Sequence, residues 1–150
     1  MLLVFFDVRG IVHHEFVPQG QTVNSLFYVE VLKRLRQRVN RVRPGMKDTW
    51  RLHHDNAPAH TAFIVNDYLA KSRVPQPPYS PDVPPADFFL FPRIKSQLKG
   101  KHWGTVNNIQ EATTRALRDL PVDVFQGVFL AWKTRLQKCI DAGGSYFEEF

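Results

Sequence analysis

The order of apolar segments predicts an α/β or α+β fold with two strands first, then a helix, a third strand and helices to the end of the chain. Three observations carry that expectation. Two short apolar runs are separated by Asp7-Val-Arg-Gly10. A long stripe of helical period follows, bounded by Asn24 and Pro44-Gly45. The later helical stripes come only after a proline-dense stretch.

Residues 2–6 and Ile11–Val17 read as the strands of a β-hairpin, with Gly10 supplying a backbone conformation other residues avoid. Pro18-Gln-Gly20 closes it. Asn24 or Ser25 can cap a helix whose apolar positions are Val29, Leu32, Leu35, Val39 and Val42. The opposite face carries Lys33, Arg34, Arg36, Arg38, Arg41 and Arg43, which suits either a solvated surface or phosphate contact. Thr49–His54 is the third strand. Pro58 suits the first turn of the next helix, where its missing N–H costs nothing, and Ile64, Val65, Tyr68 and Leu69 give that helix a buried side.

Pro75, Pro77, Pro78, Pro81, Pro84 and Pro85 exclude a helix or a central strand between Val74 and Pro85. Ala86–Leu98 reads as a helix with an aromatic start, interrupted at Pro92. Asn108 with Glu111 has the spacing of a capping box for a helix with stripe Ile109, Ala112, Ala116, Leu117 and Leu120. A last helix from Asp123 buries Phe125, Val128, Phe129, Trp132, Leu136 and Ile140 and ends at Gly143-Gly144.

At 150 residues the chain fits one domain able to bury a real core, and 43% hydrophobic content excludes wholesale disorder. The net charge of +6 favours polyanionic partners. Cys139, the one cysteine, cannot form an internal disulfide and falls on the apolar side of its helix, as a small core residue would. No apolar run approaches the roughly 20 residues of a membrane span, and Asp7 and Arg9 follow the first apolar run too soon for a signal peptide.

The run Leu52-His-His-Asp-Asn-Ala-Pro-Ala-His60 and the run Tyr79-Ser-Pro-Asp-Val-Pro-Pro-Ala-Asp-Phe-Phe-Leu-Phe-Pro92 each place a carboxylate where a strand stops or a helix starts. Asp55 and Asp87 could each present one acid to a shared divalent ion, a pairing suited to phosphodiester chemistry. Each could equally cap a helix, and Asp82 could be a turn residue. His13-His14 and His53-His54 offer at most one ligand per strand face, because neighbouring side chains point opposite ways. His54-Asp55 also matches the short signature of all-helical His-Asp phosphohydrolases, but lies in a strand setting here. A Gly-rich phosphate loop, a Ser–His–Asp order and zinc-type Cys/His spacing are all lacking.

Taken together, Val4–Phe16, Gly20–Asn24, His54–His60, Tyr79–Phe91 and Trp132–Phe147 resemble mariner-type transposases in order along essentially the whole chain. The resemblance implies an RNase H-like catalytic domain that uses three aspartates and two Mg²⁺ or Mn²⁺ ions to cut transposon ends and join them to target DNA. Asp55 and Asp87 match the second and third aspartates, and Asp7 a strand-end aspartate outside the triad. Several carboxylates are needed because two divalent ions close together repel strongly.

The resemblance also marks departures. The first catalytic aspartate and the helix-turn-helix region have no counterpart, and the 31 residues between Asp55 and Asp87 are fewer than the family's usual spacing. The expected fold is thus an incomplete RNase H-like one. The family's first catalytic strand would lie between Leu2–Asp7 and Thr49–His54. Without it, those two either pair directly or leave a split sheet of marginal stability. The expected role is that of a transposase catalytic fragment with little activity of its own and at most non-specific DNA binding. Arg34, Arg38, Arg41, Lys95, Lys99 and Lys101 are the candidate phosphate contacts. A homodimer and a nuclear location follow from the resemblance, with no membrane association. A non-catalytic basic DNA-associating or partner-binding module, and a pseudogene product without function, are the rival readings.

Overall fold

A computed structural model describes residues 1–54, 58–75 and 89–141, with the backbone alone for residues 58, 61, 135, 136 and 138–141. Strands β1 (Leu2–Asp7) and β2 (Gly10–Phe16) pair into a two-stranded sheet. Helix α1 (Ser25–Val42) and a 3₁₀ turn at Pro44–Met46 follow. Next come α2 (Pro58–Thr61), α3 (Phe63–Lys71), α4 (Phe91–Leu98), α5 (Val106–Arg118) and α6 (Val122–Asp141). The chain forms two compact units, Met1–Phe5 with Val12–Tyr79 and Phe6–Ile11 with Ser80–Phe150.

In the first unit α1 is the centrepiece. Its cap is Asn24, whose side-chain oxygen accepts the Phe27 N–H at 2.8 Å. Tyr28, Val31, Leu32, Leu35 and Val39 are its buried face. The stripe read from the sequence is therefore shifted: Val29 and Val42 lie at its margin, and Tyr28 and Val31 belong at its centre. Tyr28, Leu32, Leu35 and Val39 pack with Val12 of β2, Trp50, Leu52, Val65 and Leu69 of α3, and Val74 in one cluster. Ile64, expected on the buried side of α3, is 36% exposed, because Val65 and Leu69 take the inward positions.

The third strand is a correction. Thr49–His54 has the side-chain alternation of a strand, with Trp50 and Leu52 buried and Arg51 exposed, but is irregular in backbone. Its regular pairing is limited by its neighbour. The Leu52 N–H donates to the Pro75 carbonyl at 3.0 Å, and a proline has no N–H to continue a ladder. Arg73, at φ 58, turns the chain after α3 so that the Val74 N–H reaches the Leu69 carbonyl and residues 74–75 run beside Leu52. Among the described residues, then, the sheet holds only β1 and β2, the split arrangement of the two expected.

In the second unit the hairpin turn packs by its aromatic residue. Phe6 lies 5.7 Å from Phe125 and 5.8 Å from Phe129 between ring centroids. Gly10 sits at φ 125, and a Cβ there would meet the Phe125 ring at 3.8 Å. Its conformation, more than its space, is what demands glycine. Phe125, Leu90, Leu117 and Ile94 are among the most buried side chains.

Helix boundaries here differ from expectation in two places. Pro92 does not interrupt α4; it occupies the first turn, after a wide π-type turn at Phe89 and Leu90. The α5 cap is Thr105 and not Asn108, its hydroxyl accepting the Asn108 N–H at 3.2 Å, while Asn108 Nδ2 donates to the Trp103 carbonyl at 2.7 Å. Asn108 is thus the third helical residue, braced back onto the entering chain. Ile109 is 41% exposed, and the buried stripe runs through Thr113, Ala116 and Leu117 to Leu120. Residues 86–88, the end at Gly143-Gly144, and the side chains of Leu136, Cys139 and Ile140 lie outside what is described.

Candidate metal site and nucleic-acid surface

Asp55 and Asp87 lie outside the described residues, as does Asp82. What is described lies on either side of residues 55–57. On the near side, His54 Nδ1 and the Tyr28 hydroxyl share a hydrogen bond of 2.8 Å. On the far side, the His60 ring stacks on Tyr28, centroids 4.0 Å apart and planes within 22°. His54 and His60 are themselves nearly parallel, at 5.2 Å and 6°. Tyr28 is 1% exposed, so this three-ring stack is rooted in the core of the first unit.

Sequence reasoning weighed the histidines only as metal ligands and missed this arrangement. Its signal was available: Tyr28 precedes Leu32 by four residues and so shares its helix face, while His54 and His60 bracket Asp55. His53, next to His54, has its pKa pushed below the ordinary histidine value by burial. Among the described residues, no group of three or more His, Cys, Asp or Glu side chains could hold a metal ion. The acids read from the sequence, by contrast, are hard oxygen donors of the type Mg²⁺ and Mn²⁺ prefer.

The candidate phosphate contacts fall into two sets. On α1, Arg34 makes a bidentate pair with Glu15 of β2, Nε donating at 2.9 Å and the second guanidinium nitrogen at 2.8 Å. Glu15 also meets His13 Nε2 at 2.7 Å. Partial burial works to raise the Glu15 pKa, but the hydrogen bonds from Arg34 and then His13 outweigh it and pull the carboxyl below its ordinary value. The same pairing with Glu15 raises the pKa of Arg34. Burial, then His13, pushes His14 down against the pull of Glu15. Arg38 Nε donates to the Val12 carbonyl at 3.2 Å, and Arg41 is exposed in the last turn.

On α4 and the segment after it, Lys95, Lys99 and Lys101 are all exposed. Lys101 Nζ lies 5.7 Å from the Trp103 ring centroid, and the Trp103 indole N–H donates to the Leu98 carbonyl at 3.3 Å.

Comparison with known proteins finds likenesses to one family. The family described as Transposase (partial DDE domain) matches residues 1–49. The Mariner Mos1 transposase of Drosophila mauritiana is 29% identical over 99% of this chain and 45% of its own length. The solved structure of the Mos1 catalytic domain with Raltegravir and Mg matches 98% of this chain and 76% of that one, at a TM-score of 0.87 and 29% identity.

The chain is similar to mariner-type transposases over nearly its whole length.

It corresponds to part of their catalytic domain and shares the RNase H-like α/β fold. The Mos1 paired end complex with Mn matches at a TM-score of 0.89 and 28% identity, over 98% of this chain and 44% of that one. The human histone-lysine N-methyltransferase SETMAR is 27% identical over 99% of the chain and 22% of its own length. The chain thus spans less than half the length of the curated relatives it matches. No described helix is long and apolar enough to cross a membrane.

Proposed function

We propose that this chain carries part of a metal-dependent DNA cleavage and strand-transfer centre, with Asp55 and Asp87 as two of its acids. The supporting observation is the likeness to the Mos1 catalytic domain solved with Mg, which extends over 98% of the chain. Asp55 and Asp87 would hold Mg²⁺ or Mn²⁺. Such an ion, when bound, stabilises the attacking and leaving oxygens of a phosphodiester. The chain's own contributions are of other kinds. The Tyr28–His54–His60 stack joins His54 and His60 to the buried face of α1. Arg41, Lys95, Lys99 and Lys101 offer exposed charge to phosphates, and Arg34 and Arg38 contribute less because each is already engaged with β2.

A second reading, a non-catalytic basic DNA-associating module, is favoured by the exposed lysines of α4 and its following segment. A nuclear location and a homodimer go with either reading. The test is a nicking assay on supercoiled DNA with Mn²⁺, beside Asp55→Ala and Asp87→Ala and a chelator control. Nicking that needs metal and is lost in both variants supports the cleavage centre. Salt-sensitive binding with no metal-dependent nicking supports the module, and neither activity refutes both.

A further inference from the structure

We propose that Glu15 is a built-in competitor for phosphate, masking Arg34 of α1 from nucleic acid until their ion pair is broken. The inference rests on the reading of this chain as one that contacts DNA, and adds which side chain limits that contact. Arg34, Arg38 and Arg41 recur at the spacing of one helix face, a row of three cations in two turns. Glu15 of β2 takes the first of them, with Arg34 Nε donating at 2.9 Å and a terminal guanidinium nitrogen at 2.8 Å. A carboxylate held this way fills the same two-pronged donor fork that a phosphate uses. One ligand excludes the other there, and the carboxylate cancels the guanidinium charge.

The carboxylate is the anchored partner and the guanidinium the accessible one. The Glu15 side chain is 17% exposed and that of Arg34 is 46% exposed. Glu15 Oε2 also meets His13 Nε2 at 2.7 Å, which fixes it from its own strand. Partial burial works against the Glu15 charge, yet the hydrogen bonds from Arg34 and His13 hold its pKa below the ordinary value, so the competitor is ionised at neutral pH. An anchored carboxylate gives up less side-chain freedom on pairing than a free one, so it outcompetes a passing anion at that position. Arg38, one turn on, is engaged differently: it donates to the Val12 carbonyl at 3.2 Å, a partner with no net charge, and its own charge stays effective. Of the three arginines, Arg34 is the one whose charge a described carboxylate cancels.

Duplex DNA binding by the full 150-residue chain, titrated with salt, tests this in the parent, Glu15→Gln, Arg34→Gln and the double variant. Glu15→Gln keeps the length of the side chain and one acceptor oxygen and removes the charge. It should tighten binding by roughly threefold at low salt and steepen the salt slope by about 0.9, as one added phosphate contact would. Arg34→Gln alone should bind as the parent does, and in that background Glu15→Gln should bring no gain. The Arg34 Nε–H resonance should shift on DNA addition in Glu15→Gln and hold still in the parent. Glu15→Thr, which suits a strand, should show the same gain and decides the matter if Glu15→Gln does not fold. DNA binding by the parent with no gain in the Glu15 variants overturns the mask and leaves the DNA reading standing. An equal gain with and without Arg34 also overturns it, since that reports net charge alone, as does a loss of slope in Arg34→Gln, which would show Arg34 already on phosphate. If neither the parent nor the Glu15 variants bind DNA in a salt-sensitive way, the DNA reading falls and the mask with it.

Discussion

Helix α1 and the region of α4 carry similar basic charge and use it differently. On α1 two of the guanidinium groups are turned to structural ends, Arg34 locked onto Glu15 and Arg38 onto the Val12 carbonyl, both reaching β2, while Arg36 and Arg41 stay exposed. Around α4, Lys95, Lys99 and Lys101 stay exposed. The difference follows from side-chain chemistry and from neighbours. A planar guanidinium matches a carboxylate with two parallel hydrogen bonds, whereas an ammonium is a compact, strongly hydrated charge. A count of basic residues on a helix face therefore overstates what is available to a phosphate backbone.

The largest effect expected is on the face beneath the arginines. Leu32→Ala should destabilise the chain by about 3 kcal/mol, the usual range for a buried leucine truncation, as read from urea unfolding. An effect under about 1 kcal/mol would mean that α1 is not the tightly packed support the comparison requires.

The next separates the two basic sets directly. Changing Lys95, Lys99 and Lys101 together to Gln should reduce the salt dependence of duplex DNA binding by a slope of roughly two to three. Arg34→Gln should leave that slope nearly unchanged and instead lower the melting temperature, because half-buried Glu15 loses its bidentate partner. Equal slopes for the triple variant and the parent would break the contrast.

A smaller effect lies in acid. The folded pKa of Glu15 is depressed, so its contribution to stability is full above the unfolded carboxylate range and is lost as pH falls through the lowered folded value. His14, also depressed, acts in the same direction at higher pH: the unfolded chain takes up the proton first, and stability declines as pH drops below about 6.5. Melting curves from pH 7.5 to 3 should show Glu15→Gln flattening the lower window and His14→Gln the upper one. The smallest effect is at the surface pair of Lys71 with Asp67, 2.9 Å apart and largely solvated. Lys71→Ala should change stability by no more than about 0.5 kcal/mol.

Much of this was legible from the chain alone. The Asn24 cap, the Pro44-Gly45 stop and the turn at Gly10 are set by residues acting on their own backbone and appear as read, whereas Pro58 opens a four-residue α2 separate from the α3 that carries Val65 and Leu69. The motifs that resemble mariner-type transposases were likewise a matter of local order in the sequence. Where local signals were ambiguous, the reading slipped by small steps. The α5 cap moved from Asn108 to Thr105, and the α1 stripe was missing Tyr28 and Val31.

Pairing between distant segments was another matter. Thr49–His54 has the alternation of a strand, but a strand needs a partner with donors as well as acceptors, and the carbonyl beside Leu52 belongs to Pro75. The engagement of Arg34 by Glu15, and the closing of His54 and His60 onto Tyr28, join residues 19, 26 and 32 positions apart. Local propensity determined the helices, caps and turns, because those depend on neighbours along the chain. Tertiary packing alone decided which charges were already partnered and that His54 and His60 meet on Tyr28, because those depend on residues that come together only once the chain has folded.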